Sequence, residues 1–551
     1  MKVKKTVLMI CVLLIATPLL AKSKSKQMDE LLNGLFEPNG PGGVALVIKN
    51  GKIVYRKAFG MANLELNVEM EPEHIFRIGS ITKQFTAVAI LKLAEEGKVD
   101  LDADITEYIK DYPTHGHKIT VKHLLNHTSG IKSYTGMSQW TSETRKKDFE
   151  LTELIDYFKN EPMDFAPGVD FRYNNSGYIL LGQIIEVASG EKYADYIQNH
   201  MFTPLKMNSS YYGSTSRIIK NRASGYDKAD EMYKNADFLS MTQPHAAGSL
   251  LSTVDDLSTW YQSVLNDEII SAESRKMAHT PETLNDGETL DYGYGWGIGN
   301  IQGVPMIQHG GGINGFLSAS LVLPEEKLFV AVLSNCNCNR PGAVANKMAA
   351  IAIDKPYNWE KIDLSDEELQ SYQAVYEQTK KGMETENLRT ITYEKGQLFS
   401  LRSGGTRYKI FPYAKDQFYF EDSLSTLEFN RNAEGEIESV TMKSTRSDQN
   451  WQRTDKPMPT LTEVDMSLET FAKYIGKYEL APDFYIHIFS EGGTFYTQAT
   501  GQQKIELIAT DVNKFTLKGT DIKLTMNSND AGEVNELVLH QNGNHPAKKV
   551  D

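Results

Sequence analysis

The sequence contains few cysteines, and their scarcity excludes a disulfide-stapled fold. Only three occur among 551 residues, and Cys11 lies in an apolar N-terminal stretch, which leaves Cys336 and Cys338. Two cysteines make no disulfide framework, and this loop offers too few further ligands for a metal site. A bridge across one residue would be strained, so free thiols and a small redox pair both remain open for Cys336 and Cys338.

Clusters of basic residues and long apolar runs are missing as well. The formal net charge is -14, with no concentration of lysine and arginine. Because phosphate binding requires such a concentration, we expect no nucleic-acid partner. Beyond the first 21 residues no apolar run is long enough to cross a bilayer, so we expect no stable membrane span there.

The N-terminus has the features of a cleavable secretory signal over residues 1–21. Three lysines precede an apolar run from Val7 to Leu20, and Ala21 ends it. The run is short for a membrane span and Pro18 interrupts it, although an uncleaved N-terminal anchor is an alternative. Removal of three lysines and no acids would change the formal charge from -14 to -17. We expect a periplasmic or secreted protein.

Three familiar catalytic signatures are also absent or incomplete. No Gly-x-Ser-x-Gly elbow occurs, and no glycine-rich loop ends in Lys-Ser or Lys-Thr. His123 and His127 have the spacing of a zinc pair, but Leu124 stands where a zinc protease needs glutamate. We therefore interpret both histidines as packing or capping residues, and the sequence predicts no metal and no cofactor.

A serine and a lysine share one helix face in the stretch FRIGSITKQFTA. Ser80 opens a segment of helical periodicity that Gly97 can end, which predicts a helix of about four turns. Residues i and i+3 lie on one face, so Ser80 and Lys83 point the same way. A lysine among apolar neighbours has a lowered pKa and can accept the proton of a serine nucleophile. Alone, this pattern equally suits a helix cap with a solvated lysine.

Two further stretches favour catalysis. Tyr173 and Asn175 follow a turn signal and precede a predicted helix; a phenol beside a lysine can lose its proton more readily and act as acid or base. His309 precedes Gly311 and Gly312 after a short strand. These glycines let a substrate lie against the strand and leave N–H groups for an oxyanion.

Ser-x-x-Lys, Tyr-x-Asn and His-x-Gly, in this order, resemble the three signatures of the penicillin-recognising serine hydrolases, the family of class C β-lactamases and DD-peptidases. The resemblance covers about residues 30–350. Supporting stretches are HLLNHTSG, AGSLLST and YGYGW, which begin at His123, Ala247 and Tyr292.

The resemblance implies a role for each motif residue. Ser80 is the nucleophile that becomes acylated, while Lys83 and Tyr173 share the proton transfers. Asn175 binds the amide of the substrate, and the N–H groups of Ser80 and Gly312 form the oxyanion hole. His309 stands where such β-lactamases usually carry lysine, and a mostly neutral imidazole suits the drug's carboxylate less well. That departure counts against a dedicated β-lactamase.

The chain reads as an α+β protein of three domains after the signal. Strands, then helices, then strands predict one sheet closed by both chain ends with helices beside it, and Asn50-Gly51 predicts a hairpin. The resemblance implies that this part, residues 27–358, is a β-lactamase-like catalytic domain with an antiparallel sheet flanked by helices. Short alternating strands then repeat at an offset of 97, which predicts two antiparallel β-barrels over 364–457 and 463–551. The proline-containing stretch 456–460 reads as their linker. Both barrels resemble lipocalin-like modules.

A catalytic domain with two such barrels resembles the D-aminopeptidases of this family, in which a barrel loop limits access to the site. We therefore expect an acyl-enzyme hydrolase acting on amides or short peptides with D-residues, of aminopeptidase or carboxypeptidase type. An esterase and a weak β-lactamase are alternatives, and so is a non-catalytic protein that binds peptides or cell-wall fragments. The sequence does not determine the oligomeric state or the true substrate.

Overall fold

The computed structural model describes residues 23–229, 232–378, 387–421, 423–460, 463–481, 484–541 and 543–550. The signal-peptide prediction for residues 1–21 lies outside these ranges. In the described part of the chain, no helix is both long and apolar enough to cross a membrane.

The first domain combines one main sheet with helices on both of its faces. Its strands are β1 (Gly43–Lys49), β2 (Lys52–Phe59), β3 (Met61–Asn63), β4 (Val68–Glu69), β5 (Phe76–Arg77), β6 (Tyr211–Tyr212), β7 (Tyr226–Ala229), β8 (Met232–Asn235), β9 (Leu250–Ser252), β10 (Gly297–Ile301), β11 (Val304–Ile313), β12 (Phe316–Leu323) and β13 (Leu328–Ser334). Its helices are α1 (Lys24–Leu35), α2 (Thr82–Glu95), α3 (Val121–Leu125), α4 (Ser142–Arg145), α5 (Leu151–Phe158), α6 (Asn175–Ser189), α7 (Tyr193–Ile197), α8 (His245–Gly248), α9 (Val254–Leu265), α10 (Ala272–Ala278) and α11 (Pro341–Ala352).

The main sheet is antiparallel and joins the two ends of the domain. Its order is β10-β11-β12-β13-β1-β2, so strands from the start of the chain extend a sheet made near residue 300. β1 pairs with β13 from Gly43 opposite Ser334 to Lys49 opposite Leu328. The hairpin between β1 and β2 turns at Asn50 and Gly51, which both have positive φ. The predicted hairpin and the strands–helices–strands order are confirmed.

Strand β1 explains why the sheet needs helices on both faces. Val44, Leu46 and Ile48 belong to the core shared with the helices between β5 and β10, whereas Ala45 and Val47 face α1 and α11. Alternate side chains of one strand therefore enter different cores, and both faces are apolar. The result is a sheet that holds β11 rigidly beside the helix carrying Ser80.

Each of the two C-terminal segments forms a closed antiparallel barrel. The first is α12 (Asp366–Ser371) with β14 (Ala374–Glu377), β15 (Leu388–Glu394), β16 (Gln397–Arg402), β17 (Tyr408–Ala414), β18 (Gln417–Phe420), β19 (Thr426–Arg431), β20 (Ile437–Lys443) and β21 (Gln449–Thr454). The second is α13 (Leu468–Phe471) with β22 (Gly476–Ala481), β23 (Phe484–Glu491), β24 (Thr494–Ala499), β25 (Ile505–Asp511), β26 (Lys514–Leu517), β27 (Lys523–Ser528), β28 (Val534–His540) and β29 (Asn544–Lys549). The predicted pair of barrels is confirmed.

The sequence repeat at offset 97 coincides with the strand boundaries. β16 to β20 begin 97 residues before β24 to β28, strand for strand. The offset differs at both ends: the Tyr376 hydroxyl donates to the carbonyl of Tyr372, and Tyr478 makes the same bond to Tyr474, 102 residues later. β21 begins only 95 residues before β29. The second copy therefore has a two-residue shorter connection before its last strand.

The three domains touch one another through short segments. Trp359 stacks on Tyr419, which docks the segment after the catalytic domain onto the first barrel. The barrels meet where Arg407 N–H donates to the carbonyl of Gly519 and Asp521 N–H donates to that of Gly405. Residues 455–460 between the barrels carry neither helix nor strand, as a linker would.

Cys336 and Cys338 follow β13 directly. The two residues form a disulfide, so of the two alternatives left open by the sequence the structure contains the paired one. Cys336 is fully buried, and its backbone N–H donates to Ser334 Oγ. This loop closes the end of β13 that lies next to β1.

Candidate active site

Ser80 lies in a tight turn that enters the central helix of the domain. A single 3-10 turn spans Gly79–Ile81, and α2 continues from it, which confirms the predicted helix. Gly79 has φ +52, and a Cβ there would lie 2.9 Å from the backbone nitrogen of Gly312. Because only glycine combines that φ with so close an approach, the turn packs directly on β11 and holds Ser80 beside that strand.

Lys83 is completely buried one turn after Ser80. Its Nζ lies 3.2 Å from Ser80 Oγ and 2.8 Å from both Asn175 Oδ1 and the carbonyl oxygen of Ala247. Burial lowers the pKa of Lys83 well below its usual 10.5. Asn175 Oδ1 and the Ala247 carbonyl can only accept, so Lys83 donates an N–H group to each of them. In its neutral form Lys83 has only these two N–H groups, and its third position, towards Ser80 Oγ, is then a lone pair that can accept a proton.

Tyr173 adds a hydroxyl to this pair from the other side. Its ring lies 4.7 Å from Lys83 Nζ, and its hydroxyl lies near that of Ser80. Burial raises the pKa of this phenol, although the nearby Ser80 hydroxyl lowers it. The expectation that Tyr173 loses its proton more readily is therefore wrong, because Lys83 is itself held towards neutrality by burial. Tyr173 stays protonated and can relay a proton between Ser80, Lys83 and a leaving group.

Asn175 is the first residue of α6, whose N-terminus is capped by the Asn174 side chain. Its Oδ1 accepts from Lys83, and its Nδ2 donates to Thr135 Oγ1 at 3.1 Å. The carboxamide is thereby fixed in orientation, with Oδ1 directed at the lysine. Its binding to a substrate amide stays a prediction, which the remaining Nδ2–H could satisfy.

His309 belongs to an ordered chain of hydrogen bonds. Its Nδ1 lies 2.5 Å from the carbonyl oxygen of Gly310, which can only accept, so Nδ1 carries the proton. Its Nε2 therefore accepts from the Tyr292 hydroxyl, 2.9 Å away. Burial, the charge that Lys83 carries when protonated and the charge of Arg446 lower the pKa of His309 to about 4. The predicted neutral imidazole is confirmed, and both of its nitrogens bond within the protein.

His127 continues the chain on the far side of Tyr292. Its Nδ1 accepts from the N–H of Asn174, so its Nε2 carries the proton and faces the Tyr292 hydroxyl at 3.3 Å. Burial lowers the pKa of His127 well below its usual value. His123 instead completes a capping box with Thr120 at the start of α3, and that helix ends before His127. The packing-and-capping interpretation of the two histidines is confirmed.

Gly311 and Gly312 lie where β11 approaches the nucleophile. A Cβ on Gly311 would be 2.0 Å from the carbonyl oxygen of Ile78, so the strand and the turn before Ser80 are in backbone contact. β10 pairs with β11 only as far as Gln308. From His309 onward, β11 therefore extends beyond the end of β10, and this edge of β11 has no neighbouring strand in β10. This position suits the predicted oxyanion hole of Ser80 and Gly312 N–H groups, which stays a prediction.

These residues border a cleft of about 1090 Å³. Ser80, Tyr173 and His309 lie on its wall, which also includes four acidic residues: Asp170, Asp286, Glu288 and Asp291. Arg446 and Ser447 of the first barrel complete the wall. Lys83 lies behind Ser80 rather than in the cleft, as its complete burial requires. The cleft is therefore shaped by two domains, with the reactive serine at its base.

Comparison with protein-family models shows which family this chain belongs to. The model described as Beta-lactamase matches residues 27–354, more than half of the chain. The chain belongs to the beta-lactamase family. Members of this family are serine hydrolases, and Ser80 with the buried Lys83 has the Ser-x-x-Lys arrangement of such enzymes.

Relatives extend the similarity beyond the matched domain. Penicillin-binding protein 4* of Bacillus subtilis (strain 168) is 28% identical over 429 residues, which cover 74% of this chain and 94% of the relative. Protein flp of Staphylococcus aureus (strain N315) is 29% identical over 329 residues, and the match spans 58% of this chain and 64% of flp.

Solved structures agree on the fold. The octameric penicillin-binding protein homologue from Pyrococcus abyssi has 26% identity and a TM-score of 0.55, covering 78% of this chain and 98% of its own. The D-stereospecific amidohydrolase from Streptomyces sp. has 25% identity and a TM-score of 0.51, covering 60% of this chain and 98% of its own. In both cases the match covers nearly the whole length of the solved structure.

Sequence reasoning missed several residues that form the site. The Ala247 carbonyl and the Tyr292 hydroxyl both lie in stretches noted as family landmarks, but nothing in those stretches indicates a contact with Lys83 or His309. No sequence pattern predicts the contact between His127 and Tyr292 either. Arg446 is more than 360 residues from Ser80 in the chain, and only the packing of the barrel brings it to the cleft.

Proposed function

We propose that the protein is a secreted hydrolase that forms an acyl-enzyme on Ser80 and cleaves amide bonds in short peptides or amides containing D-amino acids. The observation that carries the proposal is the position of Lys83, completely buried, with its Nζ 3.2 Å from Ser80 Oγ. Similarity to a D-stereospecific amidohydrolase supports the substrate class.

The first half-reaction transfers the acyl group to the serine. Lys83 Nζ takes the proton of Ser80 as Oγ attacks the substrate carbonyl, and the N–H groups of Ser80 and Gly312 stabilise the oxyanion. When the C–N bond breaks, Tyr173 gives its proton to the departing nitrogen and recovers one from Lys83. The ester on Ser80 and a free amine remain.

The second half-reaction returns the enzyme to its starting state. A water replaces the amine, and its proton passes through Tyr173 to Lys83 as its oxygen attacks the ester carbonyl. Collapse of the tetrahedral intermediate releases the acid, and Lys83 returns the proton to Ser80 Oγ. Each group ends with the protons it had at the start.

An esterase would use the same machinery, and the intact Lys83 contacts disfavour a purely binding protein. A dedicated β-lactamase is disfavoured because His309 is neutral and bonded on both nitrogens within the protein. Secretion rests on residues 1–21, and the intact mass of the mature protein recovered from its natural host would test cleavage after Ala21.

The experiment that tests the mechanism follows intact mass after mixing the protein with a penicillin, with D-aminoacyl amides and with their L-enantiomers. We expect a covalent adduct on Ser80 with the penicillin and faster hydrolysis of the D-amides. Ser80→Ala should give neither adduct nor turnover while its thermal midpoint stays near that of the wild type. Turnover by Ser80→Ala contradicts the mechanism, and drug consumption without an adduct identifies a β-lactamase instead.

A further inference from the structure

A loop of the first barrel is attached to the catalytic domain beside the cleft. The loop, residues 444–448, connects β20 to β21. The backbone N–H of Asn300 donates to the carbonyl of Thr445 at 2.9 Å. The Asn300 side chain donates to the carbonyls of Ser444 and Arg446, at 3.3 and 3.1 Å. One residue of β10 therefore holds three consecutive carbonyls of the loop.

Two further contacts adapt the catalytic domain to this loop. A Cβ on Gly299 would lie 2.1 Å from the carbonyl oxygen of Thr445, so the strand must carry glycine there for the loop to approach. Ser447 Oγ donates to Asp291 Oδ2 at 2.9 Å, on the cleft wall. Both sides of the contact are thus specific, and the loop has one defined position.

The duplicated barrel shows that this loop is a local modification. β20 and β21 are separated by five residues, whereas the corresponding β28 and β29 are separated by three. The strands before the loop keep the constant offset of 97, so the difference is confined to the loop itself. Two extra residues therefore occur in the copy that reaches the cleft.

The loop brings a cation to a site that otherwise offers none. Arg446 is the one arginine or lysine among the described residues that line the cleft. No ion pair of its guanidinium is found in the part of the chain that the structure describes, and the side chain is exposed. Its charge nevertheless reaches His309, whose pKa it helps to lower.

The catalytic domain cannot supply this charge from its own residues. Both nitrogens of His309 are bonded to Gly310 and Tyr292, and Lys83 is buried behind Ser80. Four acidic side chains line the cleft, and one of them, Asp291, already binds Ser447. An anionic group of a substrate is therefore repelled by these carboxylates and attracted by the charge of Arg446.

We propose that Arg446 binds the carboxylate of the substrate, so that the enzyme selects short peptides ending in a free carboxylate. The planar guanidinium can hold both carboxylate oxygens at once. This inference rests on the proposed function for the identity of the bond cleaved, and it assigns the choice of substrate to the barrel rather than to the catalytic domain.

The test measures binding without turnover, in the Ser80→Ala background. Calorimetry compares acetyl-D-alanyl-D-alanine with the same dipeptide as its C-terminal amide, a pair that differs only in the terminal charge. We expect the acid to bind about tenfold more tightly, as one charge-assisted contact allows. Adding Arg446→Gln should reduce the ratio to near one, and Arg446→Lys should restore part of it.

Lys443→Gln is the matched control, since Lys443 is the last residue of β20, directly before the loop, pairs with Glu428 and does not line the cleft. This variant should keep the preference for the acid. An equal affinity for acid and amide, an unchanged ratio in Arg446→Gln, or no binding of either peptide overturns the proposal.

D-Alanine amide, which is a cation, is a further ligand. If it binds more tightly than the acid and Arg446→Gln does not change its affinity, the proposal is also overturned, and recognition is assigned to the acidic residues of the cleft.

The two proposals fail separately. If the acid is preferred through Arg446 but wild-type Ser80 is never acylated, the proposed hydrolysis is wrong while the carboxylate site stands. If Ser80 is acylated but Arg446→Gln leaves the acid-to-amide ratio unchanged, only the carboxylate site is wrong.

Discussion

At the residue scale, the active site depends on keeping three buried basic groups neutral. Lys83, His127 and His309 all have pKa values below their usual ones, chiefly because burial disfavours their charged forms. A neutral lysine can accept a proton, and two neutral histidines can each donate on one nitrogen and accept on the other. The fixed order of these donors and acceptors holds Tyr292 and β11 in place.

Acidification should therefore slow catalysis. Protonation of Lys83 removes the lone pair that faces Ser80, so the rate of acylation should rise with pH and reach a plateau above the lowered pKa of Lys83. Lys83→Met should reduce kcat/KM by about 10³-fold. Stopped-flow acylation against pH checks the profile, and a rate independent of pH would contradict a lysine base.

Stability should also fall as pH falls, through His309. Its pKa is about 4 in the folded protein against an ordinary value of 6.5, so the unfolded chain binds more protons between these values. The contribution is complete above pH 6.5 and is lost on descending to about 4, by about 3 kcal/mol from this residue alone. Urea unfolding of wild type and His309→Gln at several pH values measures it. Equal acid sensitivity of the two proteins would exclude the effect.

At the element scale, the site is made by the contact between β11 and the turn that begins α2. Gly79 and Gly311 let two backbones touch, and no side chain separates the nucleophile from the strand edge. α6 supplies Asn175 from its N-terminus, and α8 supplies the carbonyl of Ala247. Four elements thus fix Ser80 and Lys83, and Tyr173 reaches them from the irregular segment before α6.

Gly311→Ala should test this contact. Its Cβ would lie 2.0 Å from the carbonyl oxygen of Ile78, so β11 must move away from the turn, at a cost of about 1–3 kcal/mol in stability and a loss of acylation. The neighbouring Gly310→Ala is the control, because its Cβ comes no closer than 3.3 Å to another atom. Thermal unfolding and acylation rates compare them; similar behaviour of the two variants would mean that the contact is unimportant.

The elements near the site were largely predictable, and their partners were not. Helical spacing places Ser80 and Lys83 on one face, and the family resemblance groups this pair with Tyr173, Asn175 and His309. The state of Tyr173 was mispredicted, since burial of the phenol and the lysine depends on neighbours that no local pattern indicates. Arg446 has no motif at all; its place follows from the docking of one loop on Asn300.

At the scale of the whole molecule, each domain has its own core. The apolar residues of the two barrels form separate clusters, and neither cluster includes residues of the catalytic domain. The described lining of the cleft includes residues of the first barrel and none of the second. The second barrel touches the first through the loops at Gly405 and Gly519.

A chain ended at residue 460 should therefore keep its activity. It loses β22 to β29 but retains Arg446 and all contacts of the loop 444–448 with β10. We expect acylation of Ser80 within about twofold of the full-length rate, because distant sites act independently. Intact-mass kinetics on both proteins measures it, and loss of acylation in a folded truncated chain would show that the second barrel supports the site.

The difference in length between the two equivalent barrel loops has a consequence for how such an enzyme can change. A tandem duplication left one copy at the mouth of the cleft and a second copy outside it, both on the same scaffold. Substitutions in the five residues of the loop 444–448 can alter which molecules enter the cleft, while the residues of α2 and β11 stay the same. Substitutions can therefore change the selectivity of such an enzyme without changing its catalytic residues.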